Sequence, residues 1–156
     1  MPKGLVVYDS KTGNTEKMAM AVSRGMKKRG LDTEVKRVEN TSLTDLTDAD
    51  AIVLGSPAYF SILSGNMKEF IDKSIALFPG KLKGKVGAAF ASCDEACEMT
   101  LITLIAAMLW HEMIIVGRQS GGLGAISFGK PDDKCIAQCE AFGERIAAVT
   151  KALAKN

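Results

Sequence analysis

Apolar and polar positions along the chain alternate between two rhythms. Leu5-Val6-Val7-Tyr8 is a short unbroken apolar run ending at turn residues, which predicts a strand buried on both faces. After a polar hexapeptide, Met18, Ala21, Val22, Gly25 and Met26 recur at helical spacing and make one stripe. Glu16 falls in the first turn of that helix, Lys27, Lys28 and Arg29 in its last, and Gly30 follows. This charge order suits the helix dipole, and the glycine suits a stop. Residues 31–38 alternate apolar with charged, as an edge strand does, and residues 40–49 form a polar, acidic connection with one helical turn. Ala51-Ile52-Val53-Leu54 predicts a second buried strand, with a loop opening at Gly55-Ser56-Pro57.

The two rhythms continue. Met67, Phe70, Ile71, Ser74, Ile75 and Phe78 keep helical spacing, closed by Pro79-Gly80. Residues 85–91 predict a third buried strand running into Ser92-Cys93-Asp94-Glu95. Leu101, Leu104, Ile105, Met108 and Leu109 form the next stripe, and Ile102, Ala106 and Ala107 make that helix apolar over much of its circumference. Its second face is free to meet a partner subunit in a homo-oligomer or to lie under the terminal helix. Residues 113–116 predict the last strand, 117–130 a glycine-rich irregular stretch, and 131–154 a terminal helix with Ile136, Cys139, Phe142, Ile146, Val149 and Leu153 inward.

Unbroken apolar strands separated by helices imply an α/β fold, a parallel sheet covered by helices on both faces. Right-handed crossovers and a loop of special character after the first strand favour five strands in the order 2-1-3-4-5. In that order the loops after strands one, three and four meet at the topological switch point. They are Ser10-Lys11-Thr12-Gly13-Asn14-Thr15, Ser56-Pro57-Ala58-Tyr59-Phe60-Ser61, and Ser92-Cys93-Asp94-Glu95-Ala96-Cys97. No linker, repeat or low-complexity segment divides the chain, so one domain over residues 1–156 is expected.

The first loop has chemistry of its own. Four of its six residues carry a hydroxyl or a small amide, and a fifth is glycine. A strand turning through such a loop into a helix aims several backbone N–H groups at one spot, and the helix end adds roughly half a positive charge. That is an anion site, and phosphate is its usual occupant. The chain lacks G-x-x-x-x-G-K-[ST], which excludes a nucleotide triphosphatase, and lacks G-x-G-x-x-G after the first strand, which disfavours a dinucleotide fold.

The hexapeptide at 10–15 resembles the (Ser/Thr)-x-Thr-Gly-x-Thr phosphate loop of flavodoxins. Gly55-Ser56-Pro57-Ala58-Tyr59-Phe60 and Ser64-Gly65-Asn66-Met67-Lys68 are similar to the second flavin loop of flavodoxin-like NAD(P)H:quinone oxidoreductases. So are Trp110-His111-Glu112-Met113-Ile114-Ile115-Val116-Gly117 and Ala141-Phe142-Gly143-Glu144-Arg145-Ile146-Ala147. The resemblance spans nearly the whole chain. It implies a flavodoxin-like α/β/α sandwich binding FMN: the phosphate in the first loop, the isoalloxazine against Tyr59 or Phe60, and the ring's polar edge against the main chain from Ser56 to Ser61. At Ser92, Cys93, Asp94, Glu95 and Cys97 the chain departs from ordinary flavodoxins, which carry a stacking tyrosine in that loop. Either another residue covers the outer face of the ring, or that face is open to a nicotinamide, a quinone or a partner subunit. Asp94, Glu95 and Glu98 also bring negative charge that would oppose reduction of a nearby ring.

Charge and composition narrow the classes. A net charge of +2 with scattered basic residues is no nucleic-acid footprint, and it is unlike the acidic excess of a typical flavodoxin. The longest uncharged apolar stretch, 99–110, is short of the ~18 residues of a membrane span, and the apolar run after the N-terminus is too short for a secretory signal. A cytoplasmic protein is expected. The cysteines fall in the pairs Cys93/Cys97 and Cys135/Cys139, with neither C-x-x-C spacing nor a metal signature. Reduced thiols, no metal, and core positions for Cys135 and Cys139 are expected. His111, the single histidine, is expected to make a structural hydrogen bond or to lie at the surface. Two redox classes remain: a carrier handing electrons between partner proteins through bound FMN, or an FMN enzyme passing a hydride from NAD(P)H to a quinone. A binding module that merely keeps the fold is a third.

Overall fold

A computed structural model of the protein describes residues 1–155; Asn156, the last residue of the expected domain, lies outside them. In chain order the elements are β1 (Lys3–Tyr8), α1 (Asn14–Lys28), β2 (Asp32–Arg37), α2 (Leu43–Asp48), β3 (Ala51–Tyr59), β4 (Ile62–Leu63), α3 (Gly65–Lys73), β5 (Val86–Cys93), α4 (Glu98–Trp110), β6 (Ile114–Ile115), β7 (Ala125–Phe128) and α5 (Asp133–Ala154). The main path of the sheet runs β2-β1-β3-β5-β6, all parallel, which is the expected order.

The strand count differs from expectation. Seven strands form the sheet: β4 folds back antiparallel on β3, and β7 pairs parallel with β5 beside Phe90 to Cys93. β6 and β7 share the last sheet position, β6 alongside Val86 and Gly87 and β7 further along the same strand. The glycine-rich stretch at 117–124 is the excursion between them, and 125–128, read as irregular, is a strand. Gly124 lets the chain return, because a Cβ there would run into the Ala89 carbonyl of β5.

Side chains of the central strands alternate between two cores, as the period of a strand requires. Leu5, Val7, Ile52, Leu54, Ala89 and Ala91 face the layer containing Met67, Phe70, Leu101 and Leu104. Val6, Tyr8, Val53, Ala88 and Phe90 face Met18, Val22, Met26, Phe142 and Ile146 of α1 and α5. α5 thus lies across the sheet from α4 and does not cover it. Met99, Ile102, Leu109 and Trp110 of α4 stay exposed. The polar connection at 40–49 contains α2, started by a capping box in which Ser42 and Asp45 exchange side-chain-to-backbone bonds.

His111 is structural, as expected. It is buried, and its Nε2 lies 2.9 Å from the Ser74 hydroxyl. Nδ1 is buried without a partner among the described residues. Burial lowers the imidazole pKa, so the folded protein holds the ring neutral while the unfolded chain protonates it near 6.5. The stability tied to this ring is therefore complete above pH 6.5 and declines as pH falls from there toward the lowered folded value. In urea unfolding from pH 7.5 to 5, His111→Gln is expected to flatten this part of the profile. An unchanged slope would remove His111 as its source.

Candidate functional site

The carboxyl ends of β1, β3 and β5 bring the three expected loops together. The Asp9 N–H donates to the Gly55 carbonyl at 3.1 Å, tying the start of the first loop to β3. Thr15 Oγ1 lies 2.7 Å from Ser92 Oγ, a buried contact joining the first loop to β5. Lys11 Nζ sits 5.2 Å from the centre of the Tyr59 ring, joining the first loop to the second. Burial, then the charge of Asp9, raises the pKa of Tyr59, so Asp9 also bears on the second loop.

Within the first loop, Gly13 has φ 90°, a left-handed conformation that leads into α1. Its N–H donates to Ser10 Oγ at 3.1 Å. Among the described residues no side chain caps α1, so the first-turn N–H groups are left for an outside acceptor. Ser10 and Thr15 are buried, Lys11 and Thr12 exposed, and Gly13 and Asn14 between. A Cβ added at Gly13 would meet nothing within 4 Å, so the nest is open on that side. Hydroxyls, uncapped N–H groups and a helix dipole converging on open space fit a phosphate dianion.

Arg37, at the end of β2, braces this loop from behind and was not expected from the sequence. Its Nη1 donates to the Ser10 carbonyl at 3.0 Å and its Nη2 to Glu16 Oε2 at 2.8 Å, while the guanidinium lies 5.4 Å from the centre of the Tyr8 ring. No motif marks it, since a terminal arginine on an edge strand reads as a solvated charge. Asp9 was missed too. It is buried, and its Oδ2 has no partner among the described residues.

The second loop is shorter than expected. Strand β3 continues through Ser56 and Pro57, with Pro57 opposite Ser92 of β5. Ser56 is fully buried; its hydroxyl accepts from the Ser64 N–H at 2.9 Å and donates to the Pro57 carbonyl at 2.8 Å. It holds the following hairpin rather than facing solvent. In that hairpin Ala58 pairs with Leu63 and Tyr59 with Ile62, leaving Phe60 and Ser61 as a two-residue turn. Both have positive φ, 49° and 68°, the signature of a type I′ turn. Phe60 is fully exposed at the tip, in a region where bulky residues are strained. An aromatic held in water at this crevice fits a flat ring as its partner. Phe60→Asn is expected to relieve the strain, raising stability of the flavin-free protein by about 1 kcal/mol, or roughly 2–4 °C. It is also expected to weaken flavin binding about two- to tenfold, since one stacked aromatic pair is worth about 0.5–1.5 kcal/mol. Calorimetry without flavin and a flavin titration read the two effects separately.

The third loop departs from expectation in two ways. Ser92 and Cys93 belong to β5, so the loop itself is Asp94, Glu95 and Ala96, the first two exposed. Cys93 and Cys97 are joined by a disulfide, where reduced thiols were expected. The sequence spacing matches no redox motif, and the pairing becomes possible when β5 ends and α4 begins with their Cα atoms 5.6 Å apart. Cys135 and Cys139 are free, with Cys139 buried and Cys135 partly so. The Cys139 thiol donates to Cys135, which holds the Cys135 pKa down and pushes that of Cys139 up.

The sequence profile of the flavodoxin family matches residues 6–102. An Archaeoglobus fulgidus NAD(P)H dehydrogenase (quinone) is 33% identical, over 98% of this chain and 100% of the relative. An Aquifex aeolicus flavodoxin is 30% identical, over 94% of this chain and 86% of its own. Among solved structures, a flavodoxin from the domain Archaea superposes with a TM-score of 0.83 at 31% identity, over 96% of this chain and 99% of that one. Profile, relatives and superposition agree with the loop geometry, and the chain belongs to the flavodoxin family.

Proposed function

We propose that the chain is one FMN-binding domain whose work is electron transfer through the flavin. The observation that carries this reading is the uncapped, glycine-led N-terminus of α1, with Ser10 and Thr15 buried beside it and Thr15 touching Ser92. Ser10, Lys11, Thr12, Gly13, Asn14 and Thr15 hold the FMN phosphate through hydroxyls, amide and N–H groups, each charge-assisted bond contributing roughly 1.5–3 kcal/mol. Arg37 acts at one remove, fixing the Ser10 carbonyl and Glu16 so that the nest keeps its shape. Ala58, Tyr59, Phe60 and Ser61 meet the isoalloxazine, with Ser56 and Pro57 setting the hairpin. Ser92, Cys93, Asp94, Glu95 and Cys97 bound the far side. Bound FMN supplies one- and two-electron chemistry, and the protein positions and tunes it. Asp94 and Glu95 are exposed, so water screens much of their opposition to negative charge on the ring.

Within this reading a carrier between redox proteins comes first, supported by the similarity to flavodoxins over most of the chain. A second reading, hydride transfer from NAD(P)H to a quinone or similar acceptor, is favoured by one observation. The third loop offers no aromatic to cover the outer face of the ring. The relative from Archaeoglobus fulgidus adds support by its name. FMN-loaded protein mixed with NADH or NADPH and a quinone separates the two. Nicotinamide oxidation well above that of free FMN rejects the pure carrier. No turnover, together with a stabilised semiquinone on photoreduction, rejects the reductase. Among the described residues no helix is long and apolar enough to cross a membrane.

A further inference from the structure

We propose that Cys93–Cys97 is a second redox centre of this protein, a disulfide that takes two electrons from the reduced flavin and returns them. The proposal rests on the flavin reading above. The bond lies at the carboxyl end of β5, the end that also carries Ser92, whose hydroxyl touches Thr15 of the phosphate nest.

As a staple the bond is poorly placed. Its half-cystines are four residues apart, and closing so short a loop removes little entropy from the unfolded chain. Strand β5 is already held on both sides at this point, by β3 through Pro57 and Ser92 and by β7 through Cys93 and Phe128.

The two sulfurs are not equivalent. Cys93 keeps 7% exposure and Cys97 none, so the approach is to Cys93. Cys97 is the N-cap residue of α4, where the positive end of a thirteen-residue helix meets the charge a departing sulfur carries. Cys97 Sγ lies 3.8 Å from the Ala91 carbonyl. A disulfide sulfur has no proton to offer that oxygen; a thiol does, so the reduced form gains a hydrogen bond. In the balanced step the S–S bond breaks and two S–H bonds form. The anionic two-electron-reduced flavin gives up an electron pair and one proton, solvent gives the second proton, and oxidised flavin remains.

The test is a thiol count on the FMN-loaded protein. Desalted, air-oxidised protein is reduced anaerobically by stepwise addition of dithionite, quenched with a maleimide under denaturing conditions, and mapped by peptide mass. The expected result is labelling of Cys135 and Cys139 alone before reduction, and of Cys93 and Cys97 as well once the flavin is bleached. Complete bleaching should consume twice as many electrons per flavin as in the C93S/C97S variant. FMN-free protein given the same dithionite should keep the disulfide. A fully bleached flavin with Cys93 and Cys97 unlabelled overturns the proposal, as does equal labelling in the flavin-free protein or four labelled cysteines after air oxidation. If no flavin survives desalting and added FMN does not bind, the flavin reading itself has failed, and the visible spectrum shows this before any reductant is added.

Discussion

Gly25→Ala is expected to destabilise the protein by about 3 kcal/mol, lowering its thermal midpoint by roughly 6–12 °C. Gly25 lies on α1 where α5 crosses it. A Cβ there would fall well inside contact distance of the Glu140 carbonyl oxygen, 2.8 Å from the Glu140 carbonyl carbon and 3.0 Å from the Glu144 nitrogen. These are backbone atoms of a helix interior and cannot swing aside as a side chain does. Gly143 makes the reciprocal approach to the backbone of Val22 and Met26, so both helices would have to move apart. Their separation would loosen Met18, Val22, Met26, Cys139, Phe142 and Ile146, which form the core on that side of the sheet. Helix propensity acts the other way, by about 1 kcal/mol in favour of alanine, and the figure above is net of it. The ion pairs at the rim, Arg24–Glu140 and Lys28–Glu144, are exposed and offset little. Gly65→Ala is the control. Nothing lies within 4 Å of its added Cβ at the start of α3, so the same substitution should be neutral or slightly stabilising. A Gly25→Ala protein as stable as the parent would mean that α1 and α5 are not packed this closely.

Much of this architecture was legible in the chain because its central strands are covered on both faces. β1, β3 and β5 appear as unbroken apolar runs, and such runs are hard to place anywhere but the middle of a parallel sheet. α1 was legible for a different reason: an apolar stripe, a charge order and a glycine stop agree there. β7 was not. Its four residues include Ser127, they follow a run of glycines, and their strand geometry comes from the edge of β5 rather than from any local preference.

The geometry of the candidate site was legible in its first loop and less so elsewhere. A phosphate nest is built from consecutive residues, so a hexapeptide can announce it. In the second loop the hairpin after Ser56 was not legible, because the bonds of the buried Ser56 hydroxyl with the Ser64 N–H and the Pro57 carbonyl join residues up to eight apart. Arg37, Asp9 and the Cys93–Cys97 bond depend on distances across the fold. Arg37 reaches the Ser10 carbonyl from twenty-seven positions away, which no local pattern reports.

Thr12→Asp is expected to weaken FMN binding at least a hundredfold while leaving riboflavin binding within about threefold of the parent. Thr12 is exposed beside Gly13 at the mouth of the nest, so a carboxylate there can be reached by water and need not disturb the core. At about 5 Å, each charge of a phosphate dianion would be opposed by roughly 1–3 kcal/mol for effective dielectrics between 80 and 20. Two charges at the weaker end of that range, together with the lost hydroxyl contact, come to about 3 kcal/mol, and each 1.4 kcal/mol is a factor of ten. Riboflavin carries the same ring without the phosphate, so it reports the second and third loops alone. Stability of the flavin-free protein should hold or rise slightly, because an acidic residue near the N-terminus of α1 is favourable by about 0.3–1 kcal/mol. Raising the salt concentration should narrow the gap between variant and parent, since the opposition is between partly exposed charges. Fluorescence quenching of each ligand by flavin-free protein measures both constants. Equal losses for FMN and riboflavin would place the ring, not the phosphate, at residues 10–15, and unchanged binding of both would remove the phosphate from α1 altogether.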